Sequence, residues 1–448
     1  MKVQVISKEI IKPSSPTPDQ LRRYQLSFLD QISPRAYSPF IYFYALNDND
    51  SESNDNIADV SDKLKKSLSK ALTLFYPLAG RFTDNYFVEC NDDGVPYFEA
   101  LVLKRQLSDV LKNPIPVELN DLLPFPVDKF AALPLGIQLN IFGCGGIAIG
   151  VCLSHRIADA LSCLEFTRSW LAIARGEENK VVPPTFVSAT LFPPKYVVGL
   201  DPSYALLKKH TITTKLFVFE SRKLEALRAK YVEKTSGESN NAHSKQRRLS
   251  RFEALSAFLW SRFVAATNLD VGRKFCTIFH PVNIRPRIDP PLPENSFGNY
   301  YVYHACVTFP SSHVVNTTDE DNEYCYGMAR KIREELRKVD KDFVDDLRGV
   351  EKSDEYLDSL KKGSEILARG EGAALSLSSL CRFPLYEADF GCGKPAWVSS
   401  ADRCFQNVVA LLDNKNGDGI EAYISLNPED MARFEADKEL LSLLSLQN

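Results

Sequence analysis

The chain has 448 residues, 44% of them hydrophobic and 25% charged, with a formal net charge of −4. That length exceeds one ordinary core and predicts two or three domains. The composition is that of a soluble globular protein, and the charge gives no electrostatic ground for nucleic acid or an anionic membrane as partner.

The ten cysteines are scattered, several inside apolar runs and none in a C-x-x-C pair. Buried, reduced thiols are expected, rather than a zinc knuckle or a disulfide framework. The opening MKVQVISKEIIKPSSPTP lacks the long apolar core of a signal peptide, and no run reaches the roughly 18 apolar residues of a membrane span. A cytosolic protein is the expectation.

In chain order, FIYFYAL (40–46) reads as a strand, and NDNDSESNDN after it as a polar loop. Val60, Leu64, Leu68, Leu72 and Phe75 recur at near-helical spacing, which predicts an amphipathic helix that Pro77 ends. Strands are predicted at DNYFVEC, VPYFEALVL, GIQLNIF and GIAIGVCLS, the last two joined as a hairpin across Gly143-Cys144-Gly145-Gly146. A helix follows to about Gly176. Between Gly176 and Thr214 the pattern dissolves into prolines and short apolar words, as a crossover between domains would.

Beyond it, strands are expected at KLFVFE, FCTIFHPVNI, YYVYHACVTF, NVVALLD and GIEAYISL. Helices are expected near SRKLEALRAKYVEK, SRFEALSAFLWSRFVAAT and NEYCYGMARKIREELRKV. The fold class is therefore α/β, in two similar-sized lobes with mixed sheets and flanking helices. The boundaries read as an N-terminal lobe over 1–178, a crossover over 179–213 and a C-terminal lobe over 214–448.

The chemistry concentrates at Ser154-His155-Arg156-Ile157-Ala158-Asp159, between a strand-like and a helix-like run. A histidine at the end of a strand has its backbone pinned while its ring projects past the sheet edge, which suits proton transfer to and from a hydroxyl. Asp159, four positions on, fits two readings: a partner on the same side of one helical turn, or an N-cap. Taken alone, the segment favours a hydrogen-bonded structural histidine beside a capped helix.

Other segments add to it. Asn283-Ile284-Arg285-Pro286-Arg287 and Asn295-Ser296-Phe297-Gly298-Asn299 follow, then Tyr386-Glu387-Ala388-Asp389-Phe390-Gly391-Cys392-Gly393-Lys394-Pro395. Phe75-Tyr76-Pro77-Leu78-Ala79-Gly80-Arg81 stands upstream. With H-x-x-x-D and a D-F-G-x-G motif in this order, the chain resembles the BAHD acyl-CoA-dependent acyltransferases of plants nearly end to end. The opening KPSSPTP and Cys144-Gly145-Gly146 look most like their alkaloid-acylating branch.

The resemblance implies a chloramphenicol acetyltransferase-like fold. It implies His155 as general base at the junction of two lobes, and a structural Asp159 paired with Arg285. Asp389, Gly391 and Gly393 then shape a supporting loop. Relatives place a hydroxyl residue near the reacting centre where Ser378 stands, so Ser378 is a candidate oxyanion donor. Leu380 and Cys392 occupy positions where the family usually carries tryptophan, and the Leu380 position lies near the acceptor pocket. Losing an indole opens space or calls for refilling by neighbours.

The implied reaction is transfer from acyl-CoA to a hydroxyl of a specialised metabolite (alkaloid, terpenoid, quinone or sugar) in one ternary complex. A monomer with no permanent cofactor or metal is expected. For the CoA phosphates, Lys245, Arg247 and Arg248 precede Ser250-Arg251-Phe252-Glu253, a capping-box pattern. A basic approach to a helix N-terminus is an anion site, and a solvated charged loop reads the same locally. In the family, this segment lies along the CoA side.

Rival readings are weaker. Gly143-Cys144-Gly145-Gly146-Ile147-Ala148 fits a dinucleotide fingerprint, but a strand-like run follows where that motif needs a helix. Cys152 and His155 form a lone C-x-x-H without a second half. A condensation domain acting on carrier-bound acyl groups usually has a doubled histidine and a glycine after the aspartate, where this chain has Ser154 and Ala160. A non-catalytic binding protein on the same fold is the remaining alternative.

Overall fold

The run VPYFEALVL forms the strand Val95–Leu103, and LGIQLNIF and IAIGVCLS form Leu135–Phe142 and Ile147–Ser154. The last two pair antiparallel, with Ile137 opposite Val151, as the glycine-rich turn between them predicts. Because Ile147–Ser154 is a strand, the dinucleotide reading of Gly143–Ala148 is excluded. The helix predicted from Val60 onward spans Ile57–Leu74. Its buried apolar residues, Val60, Leu64, Leu68, Ala71 and Leu72, share one face.

The structure is a computed structural model, which describes residues 1–45, 57–126, 132–197, 200, 212–231, 248–267, 275–308 and 318–444. The chain folds into two compact units. The first comprises Met1–Ser203, Asn283–Tyr301 and Arg382–Cys404; the second comprises Tyr204–Val282, Val302–Cys381 and Phe405–Asn448.

The first unit is built on a six-stranded mixed sheet in the order Lys2–Ile11, Val95–Leu103, Leu135–Phe142, Ile147–Ser154, Tyr37–Tyr44, Trp397–Ser399. Only Val95–Leu103 and Leu135–Phe142 run parallel to each other. Helices Ile57–Leu74 and Ala160–Ala174 pack together, and the indole N–H of Trp170 donates to the Leu64 carbonyl at 3.1 Å and to Ser67 Oγ at 3.0 Å. Gly150 lets the strand approach the chain at Leu122: a Cβ there would stand 2.1 Å from the Leu122 carbonyl oxygen.

The second unit has its own six-stranded sheet, in the order Tyr301–Thr308, Phe275–Asn283, Gly372–Ser379, Val408–Asp413, Gly419–Leu426, Thr213–Glu220. Helix Arg251–Ala266 is its core element. Trp260, Leu255 and Ala257 are fully buried among Ile278, Leu377, Leu411 and Ile424.

The division differs from the contiguous lobes drawn from the sequence. Two stretches of the C-terminal half join the first unit, and both have a physical tie to it. Trp397–Ser399 adds a sheet edge strand, Val398 opposite Tyr42, and Arg285 is buried against Asp159. The D-F-G-x-G segment therefore belongs to the first unit, not to the C-terminal lobe drawn over 214–448. The thiols also depart in part from expectation: six cysteines are buried, but Cys144 is exposed in its turn and Cys381, Cys392 and Cys404 are half-buried.

Candidate active site

Strand Ile147–Ser154 ends one residue before His155, and helix Ala160–Ala174 begins one residue after Asp159. The His155 backbone is held by its N–H, which donates to the Ala36 carbonyl at 2.8 Å. The ring is half-buried, tilted against Tyr301 with centroids 5.4 Å apart. Its Nδ1 lies 3.2 Å from Asn299 Oδ1. No described residue hydrogen-bonds its Nε2. Burial lowers the imidazole pKa below its ordinary value, against the bond to its own carbonyl, the field of Asp159 and the Asn299 contact, all of which raise it, and with the Arg403 charge lowering it further.

Asp159 is an N-cap and an ion-pair partner at once. It caps the helix, Oδ1 accepting from Ser162 N at 2.9 Å. It also takes two guanidinium nitrogens of Arg285, Nη1 to Oδ2 at 2.6 Å and Nη2 to Oδ1 at 3.0 Å, while Tyr300 N donates to Oδ2 at 3.0 Å. Arg285 is 2% exposed, donates further to Ser162 Oγ, Ser296 O and Gly298 O, and lies 4.6 Å over the Tyr300 ring. Burial would raise the Asp159 carboxyl, but the Arg285 charge and these bonds hold it below the usual carboxylate range. The carboxylate is thus fully engaged away from the imidazole nitrogens.

On the flank of this corner, Arg35, Tyr37, Phe82, Asp84, Ser154 and Arg156 line an open cavity of about 380 Å³. Arg156 stacks over Phe82 at 4.1 Å and donates to the Asp84 carbonyl at 2.6 Å.

The second motif forms a tight loop. Asp389 Oδ1 accepts from Gly391 N at 2.7 Å and Gly393 N at 3.1 Å, and both glycines have positive φ, 103° and 91°. Phe390 is fully buried, edge-on to Tyr44 at 4.6 Å, and Tyr44 donates its hydroxyl to the Ala388 carbonyl at 2.6 Å. Arg175 donates to the Asp389 carbonyl. Cys392 is half-buried on this loop.

Ser378 and Leu380, both half-buried, lie at the end of strand Gly372–Ser379 in the second unit, where Leu380 N donates to Leu411 O at 2.8 Å. Ser250 caps its helix in a reciprocal box with Glu253, and exposed Arg248 pairs with Glu225 at 2.9 Å. Lys245 and Arg247 lie outside the described residues.

Two residues of the His155 environment were not singled out from the sequence. Asn299 is fully buried, and its Nδ2 donates to the His155 carbonyl at 2.9 Å and to Asp30 Oδ1 at 2.8 Å. Asp30 is 1% exposed at the start of helix Phe28–Gln31. For Asp30 the local signal is Ser27-Phe28-Leu29-Asp30, a capping-box pattern that reads as helix chemistry and not as part of a site; Asn299 ends the quoted Asn295–Asn299 segment, which gave it no role of its own.

Comparison with known proteins places the chain in a family. A family model described as the Transferase family matches residues 1–441, and the chain belongs to that family. It is similar to stemmadenine O-acetyltransferase of Catharanthus roseus, 37% identical over 99% of this chain and 98% of that one. It is likewise similar to limonoid 21-O-acetyltransferase of Melia azedarach, 35% identical over 99% of each. The crystal structure of vinorine synthase superposes with a TM-score of 0.81 at 32% identity, covering 99% of both chains. The chain is thus a BAHD-type acyltransferase with the two-lobe α/β fold of that family.

Proposed function

We propose that this enzyme transfers an acyl group from acyl-CoA to a hydroxyl of a plant specialised metabolite, with His155 as general base. The observation that carries the reading is the asymmetry of the imidazole: Nδ1 is engaged by Asn299, and Nε2 has no hydrogen-bond partner among the described residues. A half-buried ring whose pKa burial lowers is neutral at physiological pH and able to accept a proton.

Nε2 takes the proton of the acceptor hydroxyl as its oxygen bonds to the thioester carbonyl carbon. The tetrahedral oxyanion collapses, the C–S bond breaks, and the CoA thiolate receives the proton back from the imidazolium. Acceptor and donor meet in one ternary complex, so no acyl-enzyme forms. Ser378 is the candidate hydroxyl donor to the oxyanion. Leu380 is the candidate lining of the acceptor pocket, and Arg248 beside the helix capped by Ser250 the candidate for CoA phosphates. Asp159, Arg285 and the Asp389–Gly393 loop serve structure.

The named O-acetyltransferases among the relatives support an alkaloid- or terpenoid-class acceptor and an acetyl donor first. The same reading has a cytosolic monomer with no resident cofactor; no described helix is long and apolar enough to cross a membrane. The test is thiol release from a panel of acyl-CoAs, with and without candidate alcohols, with product mass read in parallel. Acceptor-dependent CoA release with an ester product is expected. Binding without release would instead make this a binding protein.

A further inference from the structure

Asp30, Asn299 and His155 come from three separate segments and meet in one chain of hydrogen bonds, with Asp30 and Asn299 fully buried and the His155 ring half-buried. Asp30 is held from both sides. Its Oδ2 accepts from Ser27 N at 2.9 Å and Ser27 Oγ at 2.7 Å, and its Oδ1 accepts from Asn299 N at 2.9 Å and Asn299 Nδ2 at 2.8 Å. The Asn299 amide nitrogen thus faces two acceptors, the Asp30 carboxylate and the His155 carbonyl. Turning the amide over would set its oxygen against both, leaving repelling, unpaired oxygens beside the buried Asp30 and Asn299 side chains. The orientation is determined, and Oδ1 must face the ring.

An amide oxygen only accepts, so the imidazole nitrogen 3.2 Å from it must carry the hydrogen. We propose that Asn299, locked in place by Asp30, is a positioning residue that fixes His155 as the Nδ1–H tautomer and leaves Nε2 as the proton acceptor. This rests on the general-base reading of His155 and deepens it. The aspartate of the H-x-x-x-D motif does not do this work, because Arg285 and the helix N-terminus occupy it.

The choice of an amide has a chemical consequence. A carboxylate at the Asn299 position would hold the same tautomer but attract a second proton to the ring, and a protonated imidazole is no base. A neutral amide orients without adding charge at the contact. The carboxylate sits one residue back, where it aims the amide. Asp30 is thus a positioning residue of the second rank.

The test begins with the unmodified protein, labelled with ¹⁵N at its six histidines. The His155 signals, assigned by their loss in His155→Ala, are expected to show Nδ1 protonated and Nε2 bare. An Nε2–H ring would overturn the proposal without any variant needing to fold. In Asp30→Asn and Asn299→Ala, His155 is expected to sample both tautomers. Their kcat should fall ~10–100-fold, a share of the ~10²–10⁴ that a positioned base supplies, while KM for acyl-CoA stays within about twofold. If His155→Ala is inactive and both variants keep the wild-type kcat and tautomer, the relay fails and the base stands. If His155→Ala keeps the wild-type rate, the general-base reading itself fails.

Discussion

Arg285 grips Asp159 through two parallel bonds, 2.6 and 3.0 Å, with both side chains buried and every guanidinium nitrogen donating. The pair ties the corner carrying His155 to the segment carrying Asn299. Removing one partner strands the other charge in the interior. Asp159→Ala and Arg285→Ala should each destabilise the fold by roughly 3–5 kcal/mol. Urea titration of each single variant and of the double variant tests this. The double should lose much less than the sum, and additive losses would show that the two groups are not coupled.

Two buried carboxyls should pull stability in opposite directions with pH. Asp159 is held low by Arg285 despite its burial, so its contribution is present above the unfolded value of ~3.9 and lost as pH falls through its depressed folded value. Asp30 is pushed up to about 6 by burial, against its bonds from Ser27 and Asn299. Its contribution is fully present below ~3.9 and lost as pH rises through about 6. Wild type should therefore lose stability relative to Asp30→Asn between about pH 4 and 6, read as the difference in Tm. A difference that stays constant across that window contradicts the assignment.

The D-F-G loop is predicted to matter through packing. Phe390 is fully buried against Tyr44, so Phe390→Ala should cost ~3–5 kcal/mol. Gly391 has φ 103°, so Gly391→Ala forces an L residue into a strained backbone at ~1–3 kcal/mol. Denaturation midpoints measure both. Since Cys392 is only half-buried, Cys392→Ala should shift the midpoint less than either.

Much of the framework was legible in the sequence because apolar periodicity and turn residues encode it locally. Val95–Leu103 and the hairpin after it are cases of strands whose inward faces alternate or run continuous. The strands that escaped had a weak local signal, whereas helices Lys341–Arg348 and Val350–Ala368 were missed despite their amphipathic pattern. Lys2–Ile11 is an edge strand with mostly exposed side chains. Gly372–Ser379 is buried, but its GAALSLSS lacks the branched and aromatic residues that mark a strand. The discontinuous units escaped for a related reason, since a three-residue edge strand at Trp397–Ser399 leaves almost no pattern.

The site divides the same way. His155 and Asp159 are four residues apart on one corner, so the sequence by itself sets them side by side. The Asp30–Asn299 bond spans 269 positions, and neither residue stands in a periodic pattern that announces it. A buried polar contact between distant segments is set by how the chain folds, and local sequence carries no trace of it.

In the proposed reaction the Nε2 lone pair of His155 takes the proton from the attacking hydroxyl. Single-turnover acyl transfer by His155→Ala, with circular dichroism and Tm confirming an intact fold, tests it most directly. A fall of ~10²–10⁴ or more in the rate of ester formation, with acyl-CoA still bound, is the predicted result. A folded His155→Ala enzyme that forms ester at the wild-type rate would contradict the account.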